Sequence, residues 1–170
     1  MKFFIYPIIF LSIFFLAGCS STNEIYIIRH AEKSTEPAND PHLTVEGKQR
    51  AEDLKAFLKN KNIKAIFSTE TNRTIETATP ISNLISVPIE YYSNDTLSYF
   101  LQKVTRLKKN VLIVGHSNTS VMMLDELKLP HTPTYIPDND YDNMVIIKVK
   151  NSKAVKLIET TYGALSPVVK

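Results

Sequence analysis

The sequence predicts an α/β fold: a three-layer sandwich with a mainly parallel sheet, helices on both faces and a C-terminal antiparallel edge hairpin. Three observations carry this. Short β-branched runs alternate with stretches of helical period. Val111-Leu112-Ile113-Val114 is apolar without interruption, as a strand buried on both faces must be. Two closing runs, Asn143 to Lys150 and Ala154 to Thr161, flank Asn151-Ser152, a turn pair suited to a hairpin. No internal repeat, low-complexity tract or second domain breaks the pattern.

Residues 1–18 are read as a leader. Lys2 is a minimal positive start, and Phe3 to Leu16 is uncharged and apolar. That run is short for a membrane span of ~20 residues and suits a signal sequence. It ends in Leu16-Ala17-Gly18-Cys19, which resembles a bacterial lipobox. The resemblance implies cleavage before Cys19 and lipid on that cysteine. The expected address is therefore the extracytoplasmic face of a bacterial membrane. The competing reading is an N-terminal anchor helix with an incidental cysteine. Cys19 is the sole cysteine, so the folded part has no thiol to mispair outside the cytoplasm. Residues 19–23 form a short tether, and 24–170 form the domain.

Within the domain, Glu24 to Arg29 reads as the first strand. Thr44 is a helix N-cap, with a buried face of Gly47, Ala51, Leu54 and Leu58. A glycine there points to a close backbone approach. Ala65 to Ser68 is a short strand. Asn72 to Leu84 is helical, with Ile75, Ala78 and Ile81 inward, and Pro80 is expected to kink or restart it. Pro88 to Tyr91 reads as a strand and Thr96 to Lys109 as a helix. After Val111–Val114, a helix is expected from about Thr119 to Leu127.

The chain has 170 residues and 22% charged residues, with a formal net charge of +3. That is enough chain for one core. No continuous basic run suggests a nucleic-acid partner. The chemistry gathers at strand ends, where open α/β sheets bind their ligands. The first strand ends in Arg29-His30, the second in Ser68 with Arg73 five residues on, and the Val111–Val114 strand in Gly115-His116. Arginine matches phosphate oxygens, neutral imidazole is a nucleophile, and helix N-termini favour anions. A phosphoryl site follows, with the protein supplying the positive charge. The four histidines show neither i, i+4 pairing nor a cysteine partner, so no metal and no cofactor is expected. His42 and His131 fit no motif.

Four motifs in register resemble the histidine phosphatase (phosphoglycerate mutase-like) superfamily. They are Arg29-His30-Ala31-Glu32-Lys33, Leu43-Thr44-x-x-Gly47, Ser68-x-x-x-x-Arg73-x-x-x-Thr77-Ala78 and Gly115-His116-Ser117. They cover about 24–118, and Tyr141-Asp142-Asn143 resembles the tail of small exported members. The resemblance implies that His30 becomes phosphohistidine. It implies that Arg29, Arg73, His116 and Ser117 hold the phosphoryl group, and that water then releases it. The implied partners are a small phosphorylated substrate or a phosphoprotein, with a monomeric chain.

The proton donor for the leaving group stays open. Asp95 and Glu32 are the candidates, with Asp95 also reading as a helix N-cap; Glu90 and Asp142 are weaker. A weak donor favours good leaving groups, such as phosphoramidates (protein phosphohistidine among them) and aryl phosphates. Two other readings compete. Gly115-His116-Ser117-Asn118-Thr119 is similar to a nucleophile elbow, which would make Ser117 an esterase nucleophile with Asp125 and His131 downstream. The fold could also serve as a non-catalytic phosphate- or partner-binding lipoprotein.

Overall fold

A computed structural model describes residues 22–132 and 135–167. The leader and Cys19 lie outside the described residues. The chain runs β1 (Thr22–Arg29), α1 (Val45–Leu58), β2 (Ile63–Ser68), α2 (Asn72–Ile85), β3 (Ile89–Tyr91), a 3-10 turn (Asn94–Thr96), α3 (Leu97–Arg106), β4 (Asn110–Gly115), α4 (Ser117–Leu127), β5 (Asn143–Lys150) and β6 (Lys153–Thr161). One six-stranded sheet has the order β3-β2-β4-β1-β5-β6. The first four strands are mutually parallel, and β5 and β6 add an antiparallel edge. The predicted α/β architecture is the one observed.

Strand alternation divides the core between the two sheet faces. Ile25 and Ile27 of β1 pack with Phe100, Leu101 and Val104 of α3 and with Met123 of α4. Tyr26 and Ile28 point the other way, against Leu54 and Leu58 of α1 and Ala78 and Ile81 of α2. Each fully buried aliphatic side chain contributes roughly 1.5–3 kcal/mol. All four residues of Val111–Val114 are buried, as a central strand covered on both sides requires.

Several boundaries differ from expectation. β1 begins at Thr22, so Thr22 and Asn23 belong to the sheet rather than to a tether. Pro80 neither breaks nor restarts α2. In the turn leading into it, the Thr77 and Thr79 hydroxyls donate to the carbonyls of Arg73 and Ile75, four residues back. Ile75 is only half-buried, and Thr74 and Thr77 take the inward positions. α3 stops at Arg106 because Lys108 adopts a positive φ of 51°. Ser93 caps the preceding 3-10 turn, its hydroxyl accepting from the Asp95 amide, so Asp95 is not the cap. α4 starts at Ser117, two residues early, which puts His116 in its N-cap position.

Candidate active site

The sheet register brings the chemistry together. Arg29 lies opposite Gly115, and Val114 lies opposite Ser68. The residues just past these positions are His30, His116 and Thr69, so they emerge side by side at one edge. The His30 amide donates to the Gly115 carbonyl (2.9 Å) and the Thr69 amide to the Val114 carbonyl (3.3 Å). The two imidazoles stand edge to face with centroids 5.5 Å apart.

Hydrogen bonds set the roles of the ring nitrogens. His30 Nδ1 lies 2.8 Å from the Ala31 carbonyl oxygen. Nδ1 must donate there, which leaves the lone pair on Nε2. His116 Nε2 is 3.1 Å from Thr69 Oγ1, and its Nδ1 is 3.5 Å from Arg73 Nη2. Burial is the main force holding both rings neutral. It lowers His30 to a pKa of about 3, with Arg29, His116 and Arg73 pushing the same way and the Ala31 carbonyl opposing. It lowers His116 to about 4, aided by Arg73 and Arg29 and opposed by Asp40. His30 is therefore an uncharged imidazole at ordinary pH.

The two arginines are anchored from outside. Arg29 is buried; its Nη1 donates to the carbonyls of Pro137 (2.7 Å) and Asp140 (3.2 Å). Its guanidinium lies 4.5 Å from the centre of the Tyr141 ring. Asp138 Oδ1 is 3.6 Å from its Nη2. Arg73 Nη1 lies 3.6 Å from Asp40 Oδ1. In both arginines Nε is buried with no hydrogen-bond partner among the described residues. Buried guanidinium donors need acceptors, and an anion with several oxygens fits both.

A supporting layer fixes His30. The Ala31 amide donates to Thr77 Oγ1 (3.0 Å), and Thr77 donates to the Arg73 carbonyl (2.7 Å). The Arg73-x-x-x-Thr77 spacing thus ties the residue after the nucleophile to the helix that carries the arginine. The expected close approach at Gly47 is present: a Cβ there would lie 2.1 Å from the Glu32 carbonyl oxygen. That carbonyl accepts from the Thr44 amide, while the Thr44 hydroxyl caps α1. At Gly115 a Cβ would meet the Tyr92 hydroxyl at 2.5 Å.

The structure brings Arg29, His30, Arg73 and His116 together and scatters the proposed proton donors. Both carboxylate oxygens of Glu32 accept from Arg50, at 2.7–2.9 Å. That clamp by buried Arg50 occupies Glu32, so it is not free to donate a proton. Asp95 is exposed and bonded to Ser93. Glu90 pairs with Lys103 at the surface, and buried Asp142 accepts from the Ser166 amide. Asp40, absent from the sequence reading, is the carboxylate in contact with Arg73. Its Oδ1 also accepts from the Asn72 amide at the start of α2 (2.9 Å). Tyr141, which the sequence marks only as part of the tail motif, has its ring 6.0 Å from His30. Asp40 and Tyr141 lie in non-periodic loops, where residue spacing gives no signal; the carbonyls that grip Arg29 lie in the same kind of loop.

Ser117 opens α4 beside an apolar cavity of about 240 Å³ that includes Met122, Tyr135 and Ile136. A second cavity, of about 420 Å³, adjoins Tyr141, Glu32 and Thr44. The esterase triad is not assembled. Asp125 lies eight residues down the helix from Ser117, about 12 Å along its axis, and bonds to His131 there. His42 pairs with Glu76. Among the described residues no group of three His, Cys, Asp or Glu side chains is placed to hold a metal.

Residues 25–94 match the sequence model of the histidine phosphatase superfamily (branch 1). No curated protein matches the chain. Its fold is shared with solved structures. The protein histidine phosphatase SixA complexed with tungstate is 17% identical with a TM-score of 0.67, covering 81% of this chain and 96% of its own. The putative phosphohistidine phosphatase SixA from Agrobacterium tumefaciens is 18% identical with a TM-score of 0.56, covering 80% and 97%. A mycobacterial glucosyl-3-phosphoglycerate phosphatase is 10% identical with a TM-score of 0.64, covering 85% and 100%. At these identities the likeness is one of fold.

Proposed function

We propose that this chain, whose residues 25–94 match the histidine phosphatase superfamily model, is a metal-independent phosphatase that works through a phosphohistidine on His30. The supporting observation is the pairing of a neutral His30, free at Nε2, with two guanidiniums, Arg29 and Arg73, that each keep a buried, unpartnered Nε donor. In the first step Nε2 forms a bond to phosphorus while the bond to the leaving group breaks. Arg29, Arg73 and His116 take up the charge on the remaining oxygens, and the α4 N-terminus at Ser117 adds its dipole.

The leaving atom needs a proton, and Asp40 is the carboxylate at hand. In this role Asp40 must hold the proton before the leaving group departs. It gives that proton to the leaving oxygen or nitrogen. In the second step Asp40 takes a proton from water, the water oxygen bonds to phosphorus, and the phosphorus–nitrogen bond breaks. Inorganic phosphate leaves and His30 is neutral again.

Small phosphate esters and phosphoramidates, including protein phosphohistidine, are the substrates this site fits. Only Tyr92 and Ser93 separate β3 from the next turn, so no insertion covers the site from that side. The SixA structures, named for protein histidine phosphatase activity, are similarly compact relatives in fold. The apolar leader ending in Cys19 supports a lipid-anchored protein on the extracytoplasmic face.

The test is hydrolysis of p-nitrophenyl phosphate in the presence of a chelator. Wild type turns over, tungstate inhibits, and His30→Ala loses about a thousandfold or more in rate. An active His30→Ala variant would overturn the mechanism. Tungstate binding without turnover would make the chain a phosphate-binding protein instead.

A further inference from the structure

The pole of the molecule opposite the site is basic. Three segments of the sequence reach it: 59–64, 106–110 and 148–153, reading KNKNIK, RLKKN and KVKNSK, with no acidic residue in any of them. The topology gathers them. Lys59 caps the far end of α1, and Lys61 and Lys64 lead into and begin β2. Lys108 and Lys109 follow α3 into β4. Lys150 and Lys153 flank the β5–β6 turn, and Lys150 pairs with Thr22, the first residue of β1.

Hydrogen bonds bind these segments to the chain entry. Asn23 Nδ2 donates to the Lys109 carbonyl (3.0 Å), the Glu24 amide to Asn110 Oδ1 (2.9 Å), and Asn110 Nδ2 to the Lys61 carbonyl (2.7 Å). All seven lysines are exposed. Among the described residues none of them pairs with a carboxylate, whereas Lys148, further along β5, pairs with Glu24. The carboxylates Glu32, Asp40, Asp138 and Asp140 sit around the opposite, catalytic edge. The molecule is thus electrically polarised along its strands.

We infer that this lysine pole docks on an anionic lipid surface. The occupant follows from where the chain enters. Cys19 and the apolar run before it precede Thr22 by only a few residues, and three residues reach at most about 10 Å. That is close to the Debye length of about 8–10 Å, so the lysines sit where headgroup charge is still felt. Each lysine near an anionic bilayer strengthens attachment by about fivefold. Docking on this pole aims His30, at the far end of β1, away from the membrane. The inference rests on the anchored reading of the leader, whether lipidated or retained as a helix.

The test places the full chain in vesicles of phosphatidylcholine alone or mixed with phosphatidylglycerol. Lysine acetylation rates are then read by mass spectrometry. On anionic vesicles the seven pole lysines slow by about fivefold or more, high salt restores them, and Lys33 and Lys48 near the site edge do not change. The combined Lys61→Glu, Lys109→Glu, Lys153→Glu variant keeps p-nitrophenyl phosphate turnover but loses protection at Lys59, Lys64, Lys108 and Lys150. Equal rates on both vesicles, protection that survives salt, or stronger protection by soluble heparin would each overturn the docking. A chain that sediments with neither vesicle overturns the anchored reading and the docking together. Sedimentation with both, without lipid-dependent protection, overturns the docking alone.

Discussion

At the scale of single residues, the site depends on which groups are charged and which are not. His30 keeps its lone pair because burial and three neighbouring cationic or imidazole groups disfavour its protonation. The proton-donor role proposed for Asp40 is tested by leaving-group chemistry. Asp40→Asn should leave p-nitrophenyl phosphate hydrolysis nearly unchanged, because nitrophenolate departs without a proton. The same variant should slow alkyl phosphates by about a hundredfold. Rates across a series of leaving groups check this; an equal loss on every substrate would show that Asp40 only positions Arg73. The sequence makes His30, Arg29, Arg73 and His116 legible because each sits where an apolar strand ends or a helix begins. It leaves Asp40, and the place of Tyr141 beside His30, illegible because both depend on how two irregular loops fold back over the sheet edge.

Among the elements, the contact between α1 and the loop after β1 is the most demanding. Gly47 lets the helix backbone touch the Glu32 carbonyl, two residues beyond the nucleophile. Gly47→Ala must push that carbonyl away, at a cost of about 1–3 kcal/mol in stability. It should also cut kcat/KM by up to about a hundredfold, since the displaced segment carries His30 and the carbonyl that orients it. Denaturant melts and steady-state kinetics on the same variant separate the two effects. The need for glycine here is readable from helix periodicity, since a glycine on a buried face wants a reason. The identity of the partner carbonyl is not, because it lies across an irregular loop. Pro80 teaches the reverse lesson: its local signal predicts a break, and threonine hydroxyls in the preceding turn accompany an unbroken helix.

For the whole molecule, the depressed histidines link stability to pH. In the folded state His30 and His116 titrate near 3 and 4, below the 6.5 of the free side chain. The unfolded chain therefore takes up protons first as pH falls below about 6.5. This contribution to stability is complete above that value and is lost progressively toward pH 4 and 3. Thermal melts across this range should show the decline, and His116→Asn should flatten it. Tungstate at a hundredfold excess over its dissociation constant should raise the melting temperature by roughly 5–10 °C, and Arg73→Ala should abolish the rise. The layered architecture is legible from periodicity alone. The electrical polarity is not, because its three basic segments become neighbours only through the strand order.

The grip on Arg29 has a consequence for how the protein comes to life. Its guanidinium is held by the carbonyls of Pro137 and Asp140, and the Arg50 clamp on Glu32 is completed by the carbonyls of Tyr162 and Ala164. Every other catalytic group has already left the ribosome by then. A nascent chain therefore holds its nucleophile early and its working pocket last, and a product truncated before residue 137 would carry His30 without the support that makes it useful. Activity becomes a report that residues 137–164 have been made and folded back.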